Sequence, residues 1–222
     1  MEKILVIGGG GYVGTELISY LIKKNNFVYC VDKFIYKKNS FIKESKKVNI
    51  LEYNITDSSF YKNIPTDVSS VIILAGLVGD PITKKYPELS HQINYLAIKK
   101  IINFYKKLKV KLIFVSTCSN YGFLENKIAT EKTSLNPKSL YAKQKVKIEK
   151  YILSLRKKNK FRPTILRFST AFGVSARPRF DLTINEFVLY AVTKKKLQIY
   201  DHETWRPYCH LLDFAKVIQK CI

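Results

Sequence analysis

The sequence predicts an α/β fold in which a parallel sheet is covered by helices on both faces. Strand-like apolar runs alternate with helix-like segments along the whole 222-residue chain. The runs are nearly continuous stretches of Val, Ile and Leu, which is typical of parallel strands buried on both faces. A glycine-rich turn directly after the first run is typical of a doubly wound sheet.

Each element is predicted from its apolar pattern. Residues 3–7 (KILVI) form the first strand, and the apolar residues of 12–24 recur with the helical period and share one face. The other predicted elements are, in chain order, strands at 27–32, 48–52 and 68–75, a helix at 91–107, a strand at 111–116, a helix at 139–158, a strand at 163–168, a helix at 181–194, a strand at 197–200 (LQIY) and a last helix from Asp213.

The composition excludes several classes of protein. With 46% hydrophobic and 25% charged residues the chain is globular rather than disordered. No stretch approaches the roughly 18–20 uninterrupted apolar residues that span a bilayer, and the apolar run at the start is too short for a signal peptide. We therefore expect a cytoplasmic protein without a membrane segment. The four cysteines show no zinc-like spacing, so we expect no metal site.

The formal net charge of +22 could mark a nucleic-acid-binding protein. However, the lysines are scattered in pairs and triplets along the chain, which is also rich in Ile, Asn and Tyr. These residues share AT-rich codons, so a biased genome is the simplest cause. Nucleic acid is therefore not the expected partner, although an anionic substrate would benefit from the positive field.

The turn GGGGYVG predicts a dinucleotide site. Its glycines have the spacing GxxGxxG, permit a tight turn, and open a helix whose N-terminus offers N–H groups to a pyrophosphate. Asp32, at the end of the second predicted strand, can bind ribose hydroxyls and would repel a 2′-phosphate, which favours NAD over NADP. Lys33 beside it is a mild counter-argument. The predicted cofactor contacts here are Gly8, Gly11, Tyr12, Val13, Gly14, Asp32 and Lys33.

A second pattern suggests acid–base chemistry. Tyr141 and Lys145 are four residues apart on a predicted helix and therefore share a face. A neighbouring ammonium group and an oxidised nicotinamide would both stabilise a tyrosine phenolate, which makes Tyr141 a candidate proton acceptor. The pair follows a strand that ends in Ser116 and Thr117, where a hydroxyl could hydrogen-bond the same substrate oxygen.

Taken together, the glycine turn with Asp32, the Ser116–Thr117 pair before NYG, the Tyr141/Lys145 pair and the later WRPYCHLLD resemble the extended short-chain dehydrogenase/reductase family. The nearest branch is that of the NAD-dependent epimerases and dehydratases, which act on nucleotide sugars. The resemblance implies a Rossmann-type sheet that binds NAD, with Thr117, Tyr141 and Lys145 as the catalytic triad. It also implies cofactor contacts from Asn54, Ile55, Ala75, Gly76, Leu77, Asn94, Ser116, Tyr141 and Lys145, and nucleotide-sugar contacts from Thr117, Arg179, Asn185 and Arg206, the last of which would hold the diphosphate.

The resemblance also implies an organisation of the chain. Residues 1–168 would form the NAD-binding domain, and residues 169–222 would form a partial nucleotide-sugar-binding region interleaved with the sheet. The last predicted helix reaches the final residue without a cap, and family members continue beyond this segment, so we expect an incomplete C-terminal substrate-binding region. A homodimer formed through the helices at 91–107 and 139–158 is expected from the same resemblance.

The two residues after Thr117 bear on the reaction. In the dehydratases of this branch the threonine is followed by Asp-Glu, whereas here Cys118 and Ser119 follow it. We therefore predict an epimerase that oxidises a sugar, at C4, to a transient keto-sugar and reduces it on the other face. The resemblance implies a role in the synthesis of cell-surface polysaccharide. Two alternatives stay open: a nucleotide-sugar dehydrogenase or keto-reductase with the same triad, and a non-catalytic dinucleotide- or RNA-binding relative.

Overall fold

The computed structural model describes residues 1–35, 45–108, 110–124, 128–158, 161, 163–200 and 202–222. Within these ranges the main sheet has six strands, all parallel, in the order β3-β2-β1-β4-β5-β6. This is the order of a doubly wound dinucleotide-binding fold, so the predicted fold class is confirmed. The strands are β1 (Lys3–Ile7), β2 (Phe27–Asp32), β3 (Val48–Glu52), β4 (Ser70–Ile73), β5 (Lys111–Thr117) and β6 (Thr164–Phe168).

Helices connect these strands, and a small second sheet lies near the end of the chain. In that sheet β7 (Thr170–Phe172) pairs in parallel with β8 (Tyr208–His210). A π-helical turn (Gln92–Ala97) and a 3₁₀ turn (Cys118–Tyr121) complete the elements. The helices are α1 (Tyr12–Lys23), α2 (Ser58–Asn63), α3 (Asp80–Lys85), α4 (Pro87–His91), α5 (Ile98–Tyr105), α6 (Leu140–Lys158), α7 (Thr183–Lys194) and α8 (Leu211–Cys221).

Each face of the main sheet carries its own hydrophobic core. Successive strand residues point to opposite faces, so Leu5 and Ile7 pack with α5 and α6, while Ile4 and Val6 pack with α1 and α8. This two-sided burial explains why the strand sequences are continuously apolar rather than alternating. Within the described ranges, no helix is both long and apolar enough to cross a bilayer.

Two predicted elements need correction. Residues 197–200 form no strand. Leu197, Ile199 and Tyr200 of this run are exposed, and the small sheet is formed by other segments. Residues of strand-like composition therefore do not form a strand here, because no neighbouring strand pairs with them. The helix predicted at 91–107 is part of a longer helical stretch, because α4, the π-helical turn and α5 follow one another from Pro87 to Tyr105.

The topology creates a crevice at one edge of the sheet. β1 is hydrogen-bonded to β2 on one side and to β4 on the other, so the chain connections run in opposite directions from this point. Ligands of open α/β sheets bind in the crevice at the carboxyl ends of the strands where the connections diverge. The glycine turn follows β1, the next segment follows β4, and Thr117 is the last residue of β5, so all three lie at carboxyl ends of strands at this edge.

Candidate active site at the carboxyl edge of the sheet

The glycine turn is packed directly against the segment that follows β4. The Gly8 N–H donates to the Val31 carbonyl at 2.7 Å. Gly8 has φ +92°, and a Cβ placed on it would lie 2.5 Å from the Ala75 nitrogen, which only glycine can avoid. A Cβ on Gly14 would lie 2.4 Å from the Gly8 oxygen. The spacing of these glycines is therefore required by close backbone contacts.

Asp32 lies beside the glycine turn. Its carboxylate accepts hydrogen bonds from the Gly10 N–H at 3.0 Å and the Phe34 N–H at 2.8 Å. Burial raises the pKa of this carboxyl, while those backbone donors and the charge of Arg177 pull it down. Sequence reasoning missed Arg177, which lies two residues before the predicted Arg179. Lys33 is exposed.

Asn94 holds the segment after β4 in place. Its Oδ1 accepts the Leu77 N–H at 2.8 Å, and its Nδ2 donates to the Leu77 carbonyl at 3.0 Å. The Asn94 side-chain amide thus hydrogen-bonds both backbone groups of Leu77, as a neighbouring strand would. A Cβ on Gly76 would lie 2.8 Å from the Asn94 Oδ1, so this approach depends on the glycine. Asn94 therefore holds the segment after β4 through Leu77, and the part of both residues in cofactor binding stays a prediction.

The residues after β3 have local structural contacts. Asn54 Oδ1 accepts the Thr56 N–H at 3.2 Å and shapes the turn. Ile55 is buried in the core formed with α5 and α6, and its carbonyl accepts the Tyr61 hydroxyl at 3.0 Å. Their assignment to the adenine stays a prediction.

Helix α6 places Tyr141 and Lys145 over the end of β5. The Lys145 Nζ donates to the Val115 carbonyl at 2.8 Å and lies 5.7 Å from the centroid of the Tyr141 ring. Burial lowers the pKa of Lys145 to about 8, with the charge of Glu149 opposing that shift. Burial raises the pKa of Tyr141, and the charge of Arg179 opposes the increase.

Thr117 ends β5 and begins the 3₁₀ turn. Its Oγ1 accepts the Ser119 N–H at 3.2 Å, which leaves the hydroxyl hydrogen available to donate. Cys118 is half-buried, and its charge would act on Tyr141. Burial raises the pKa of the Cys118 thiol, and the charge of Arg206 opposes this. Arg206, an exposed residue, therefore lies within electrostatic reach of Cys118, the residue after Thr117.

Ser116 faces the interior of the fold. Its hydroxyl donates to the Glu149 Oε1 at 2.5 Å, and Glu149 in turn forms an ion pair with Arg167. Sequence reasoning predicted a cofactor contact for Ser116 and missed Glu149 and Arg167. The available signal was spacing, because Glu149 lies four residues after Lys145 on the same helix face.

A polar seam joins α1 to the segment that holds the predicted substrate residues. The Tyr12 hydroxyl donates to the Gly173 carbonyl and accepts from the Asn185 Nδ2, both at 2.8 Å. Asn185 also donates to the Arg179 carbonyl at 2.9 Å and accepts the Gly173 N–H at 3.1 Å. Asn185 thus shapes the loop that carries Arg179, while Arg179 forms an ion pair with Asp181. Contacts of Arg179 and Asn185 with substrate stay predictions.

The residues at this edge fit a dinucleotide. Helix α1 begins at Tyr12 after the uncapped Gly11, with no acidic residue in its first turn, so its first N–H groups can face a phosphate unopposed. Asp32 lies at the carboxyl end of the adjacent strand, where a carboxylate can accept ribose hydroxyls. The residues that would hold NAD here are Gly8, Gly11, Tyr12, Val13, Gly14 and Asp32.

Comparison with known proteins agrees with this geometry. A family model described as the NAD dependent epimerase/dehydratase family matches residues 4–222. The chain belongs to this family. The predicted membership in the NAD-dependent epimerase/dehydratase branch of the extended short-chain dehydrogenases/reductases is confirmed, and NAD is the cofactor of this family.

Two related sequences and one solved structure illustrate the range of this family. The UDP-glucose 4-epimerase of Lactobacillus helveticus is 27% identical over 177 residues, covering 78% of this chain and 53% of the relative. The dTDP-D-glucose 4,6-dehydratase of Dictyostelium discoideum is 29% identical over 220 residues, covering 90% and 50%. The UDP-N-acetylglucosamine 4-epimerase of Methanobrevibacter ruminantium M1, solved with UDP-N-acetylmuramic acid, superposes with a TM-score of 0.87 at 26% identity, covering 97% and 71%. The chain thus spans about half the length of the first two relatives.

Proposed function

We propose that this chain carries the active site of a nucleotide-sugar epimerase that inverts C4 through a transient keto-sugar. The observation that carries the proposal is the identity of the two residues after Thr117. They are Cys118 and Ser119, whereas a dehydratase needs a carboxylic acid at this place. Cys118 keeps its proton near neutral pH because burial raises the pKa of its thiol. The Ser119 backbone is hydrogen-bonded to Thr117.

One carboxylate, that of Asp80, does influence Tyr141 electrostatically, but it lies on a segment other than the one after Thr117. Asp80 raises the pKa of Tyr141 through its charge; it is exposed and begins α3. An acid that eliminates water must reach the leaving hydroxyl beside the oxidised carbon. The proposal assigns no such role to Asp80.

The mechanism assigns one task to each triad residue. A bound NAD would supply the acceptor for a hydride from the sugar carbon and the donor that reduces the keto-sugar on its other face. Tyr141 removes the proton of the C4 hydroxyl and later gives it back. Lys145 binds the cofactor ribose and stabilises the phenolate by its charge. Thr117 donates its free hydroxyl hydrogen to the reacting oxygen, and the seam between Tyr12 and Asn185 holds the substrate loop against α1.

NMR of product formation tests this proposal. The protein is incubated with NAD and a panel of UDP-, dTDP-, GDP- and CDP-sugars while absorbance at 340 nm is recorded. We expect a C4 epimer without a lasting rise at 340 nm, and no product from Tyr141→Phe. A lasting rise with a keto product would instead show a dehydrogenase, and a 4-keto-6-deoxy product would overturn the proposal in favour of dehydration.

We also propose the organisation expected from the sequence: residues 1–168 for NAD, residues 169–222 for the nucleotide sugar, and a cytoplasmic homodimer. The absence of buried residues in α7 supports a substrate region within 169–222, and the packing of α8 on the main sheet supports the interleaving of that region with the sheet. Supporting the dimer, the π-helical turn and α6 expose Leu96 and Leu153. Light scattering should give twice the chain mass, and Leu153→Lys should halve it while Val192→Lys, on α7, should not.

A further inference from the structure

Glu149 is a buried charged residue for which the proposed mechanism has no use. It lies on α6, two helical turns beyond Tyr141 and one beyond Lys145, and is 1% exposed. An ionised carboxylate in such a position is costly unless it is paired and hydrogen-bonded. Its contacts therefore indicate what this position accomplishes.

Four side-chain donor groups converge on this carboxylate. The Ser116 hydroxyl donates to Oε1 at 2.5 Å, and the Asn120 Nδ2 donates to the same oxygen at 2.8 Å. Arg167 donates to Oε2 through Nε at 3.0 Å and through its terminal nitrogen at 2.6 Å. The arginine also donates to the Tyr121 hydroxyl at 2.9 Å. The ionised form is thus the form that these contacts stabilise.

The contacts join the segments that carry the triad. Ser116 immediately precedes Thr117 at the end of β5, and Asn120 lies in the turn that follows. Arg167 lies on β6, which pairs with β5 and places Arg167 opposite Ser116. Glu149 itself lies on the helix that carries Tyr141. A buried ion pair contributes little to stability compared with apolar residues of the same volume, so the geometry that it imposes is the more informative property.

We propose that Glu149 is a positioning residue, whose carboxylate fixes the strand end bearing Thr117 against the helix face bearing Tyr141 and Lys145. This proposal rests on the proposed function. It also has an electrostatic consequence, since Lys145 donates to the carbonyl of Val115, the residue before Ser116. Glu149 therefore holds a negative charge close to the ammonium group and favours its protonated form.

Other charged groups share this environment, so the test must isolate Glu149. Arg167 forms an ion pair with Glu149, and Arg179 and Asp80 act on Tyr141. The titratable or charged groups that face Lys145 or its neighbours are Tyr141 and Glu149 on α6, Cys118 and Tyr121 in the 3₁₀ turn, Arg167 on β6, Asp80 at the start of α3, and Arg179 and Arg206 on the surrounding loops.

Lysine titration by ¹³C NMR tests the proposal without substrate. Lys145, identified by the loss of its signal in Lys145→Met, should titrate at about 8 in the wild type. Glu149→Gln keeps the side-chain size but removes the charge, and should lower that titration by about one pH unit. Ile152→Ala, a fully buried site one turn further along α6, loses stability without touching the network and should leave the titration unchanged. An unchanged titration in Glu149→Gln would overturn the proposal.

Turnover measurements then separate positioning from folding. At pH 7, Glu149→Gln should lower kcat at least about tenfold with little change in KM, since a small misplacement of reacting groups is enough. Ile152→Ala should retain kcat below its melting temperature. Equal losses of kcat in both variants would mean that Glu149 only supports the fold. A wild type without turnover would refute the proposed function, while the titration would still decide the role of Glu149.

Discussion

Replacing Gly8 by alanine should damage the fold before any ligand is considered. Gly8 has φ +92°, and the added Cβ would lie 2.5 Å from the Ala75 nitrogen, 2.7 Å from its Cα and 2.9 Å from the Leu74 carbonyl carbon. All three are backbone atoms at the junction of β1 and β4, so no side-chain rotation can relieve the contacts.

The magnitude follows from two costs. A non-glycine residue at positive φ costs roughly 1–2 kcal/mol, and forcing an extra carbon into a close-packed site costs about 1–3 kcal/mol. Gly8→Ala should therefore lower the free energy of unfolding by about 2–5 kcal/mol. Urea denaturation followed by far-ultraviolet circular dichroism, without NAD, measures this quantity.

Gly11→Ala is a matched control from the same turn. Gly11 has φ −82°, and an added Cβ would lie 3.4 Å from the Gly8 oxygen, an ordinary contact. We expect its stability to change by less than about 1 kcal/mol, while its NAD affinity falls because the methyl group enters the space before α1. If Gly8→Ala is as stable as the wild type, the close-contact argument is wrong. If Gly11→Ala binds NAD normally, the turn does not face the pyrophosphate.

Three further predictions concern the polar residues of the site. Asp32→Asn should weaken NAD binding at least about tenfold, because it removes a charged hydrogen-bond acceptor. It should also reduce the ratio of the affinity for NAD to that for NADP, and calorimetry with both dinucleotides measures the two affinities. Lys145→Met should alter the pH dependence of stability. The folded-state pKa of Lys145 is about 8, below the ordinary 10.5. The unfolded chain therefore binds more protons between these two values, and the wild type gains stability as pH rises through that window. Denaturation at several pH values should show that the variant lacks this gain. Tyr141→Phe should lower turnover at least about 100-fold while NAD affinity changes less than threefold, and a parallel loss of affinity would contradict the assignment.

The fold was predictable because its strands are buried on both faces. Strands β1, β2 and β3 have the predicted bounds. The apolar run in the sequence coincides with the part of each strand that the helices cover. The prediction failed at 197–200, where the same residue types lack a partner. It also missed β7 and β8, which are three residues each and pair across nearly forty positions of sequence. Such strands leave no periodic signal and exist only through long-range contact.

The site was predictable where local spacing determines it. The interval of four residues brings Tyr141 and Lys145 together on α6, and continuing that interval reaches Glu149. The partners of Glu149 come from other segments, and only the folded sheet brings Arg167 opposite Ser116. The contacts of Asn185 with Tyr12 likewise join residues 173 positions apart. Sequence patterns gave the candidate chemistry but not the groups that hold it in place.

The ionisation of Tyr141 connects the structure to the order of events in catalysis. Burial raises the pKa of Tyr141 above its ordinary value of 10.0, and the charge of Arg179 does not reverse this. Tyr141 is therefore a phenol at neutral pH in the protein alone, and a phenol cannot accept the substrate proton. It becomes a base only when further positive charge lies near its oxygen, which an oxidised nicotinamide would add beside the already protonated Lys145. Without that added charge the pKa of Tyr141 would again be above its ordinary value, and the residue would return the proton. The same buried tyrosine can thus serve as base and then as acid, which a reaction that oxidises and re-reduces one carbon requires.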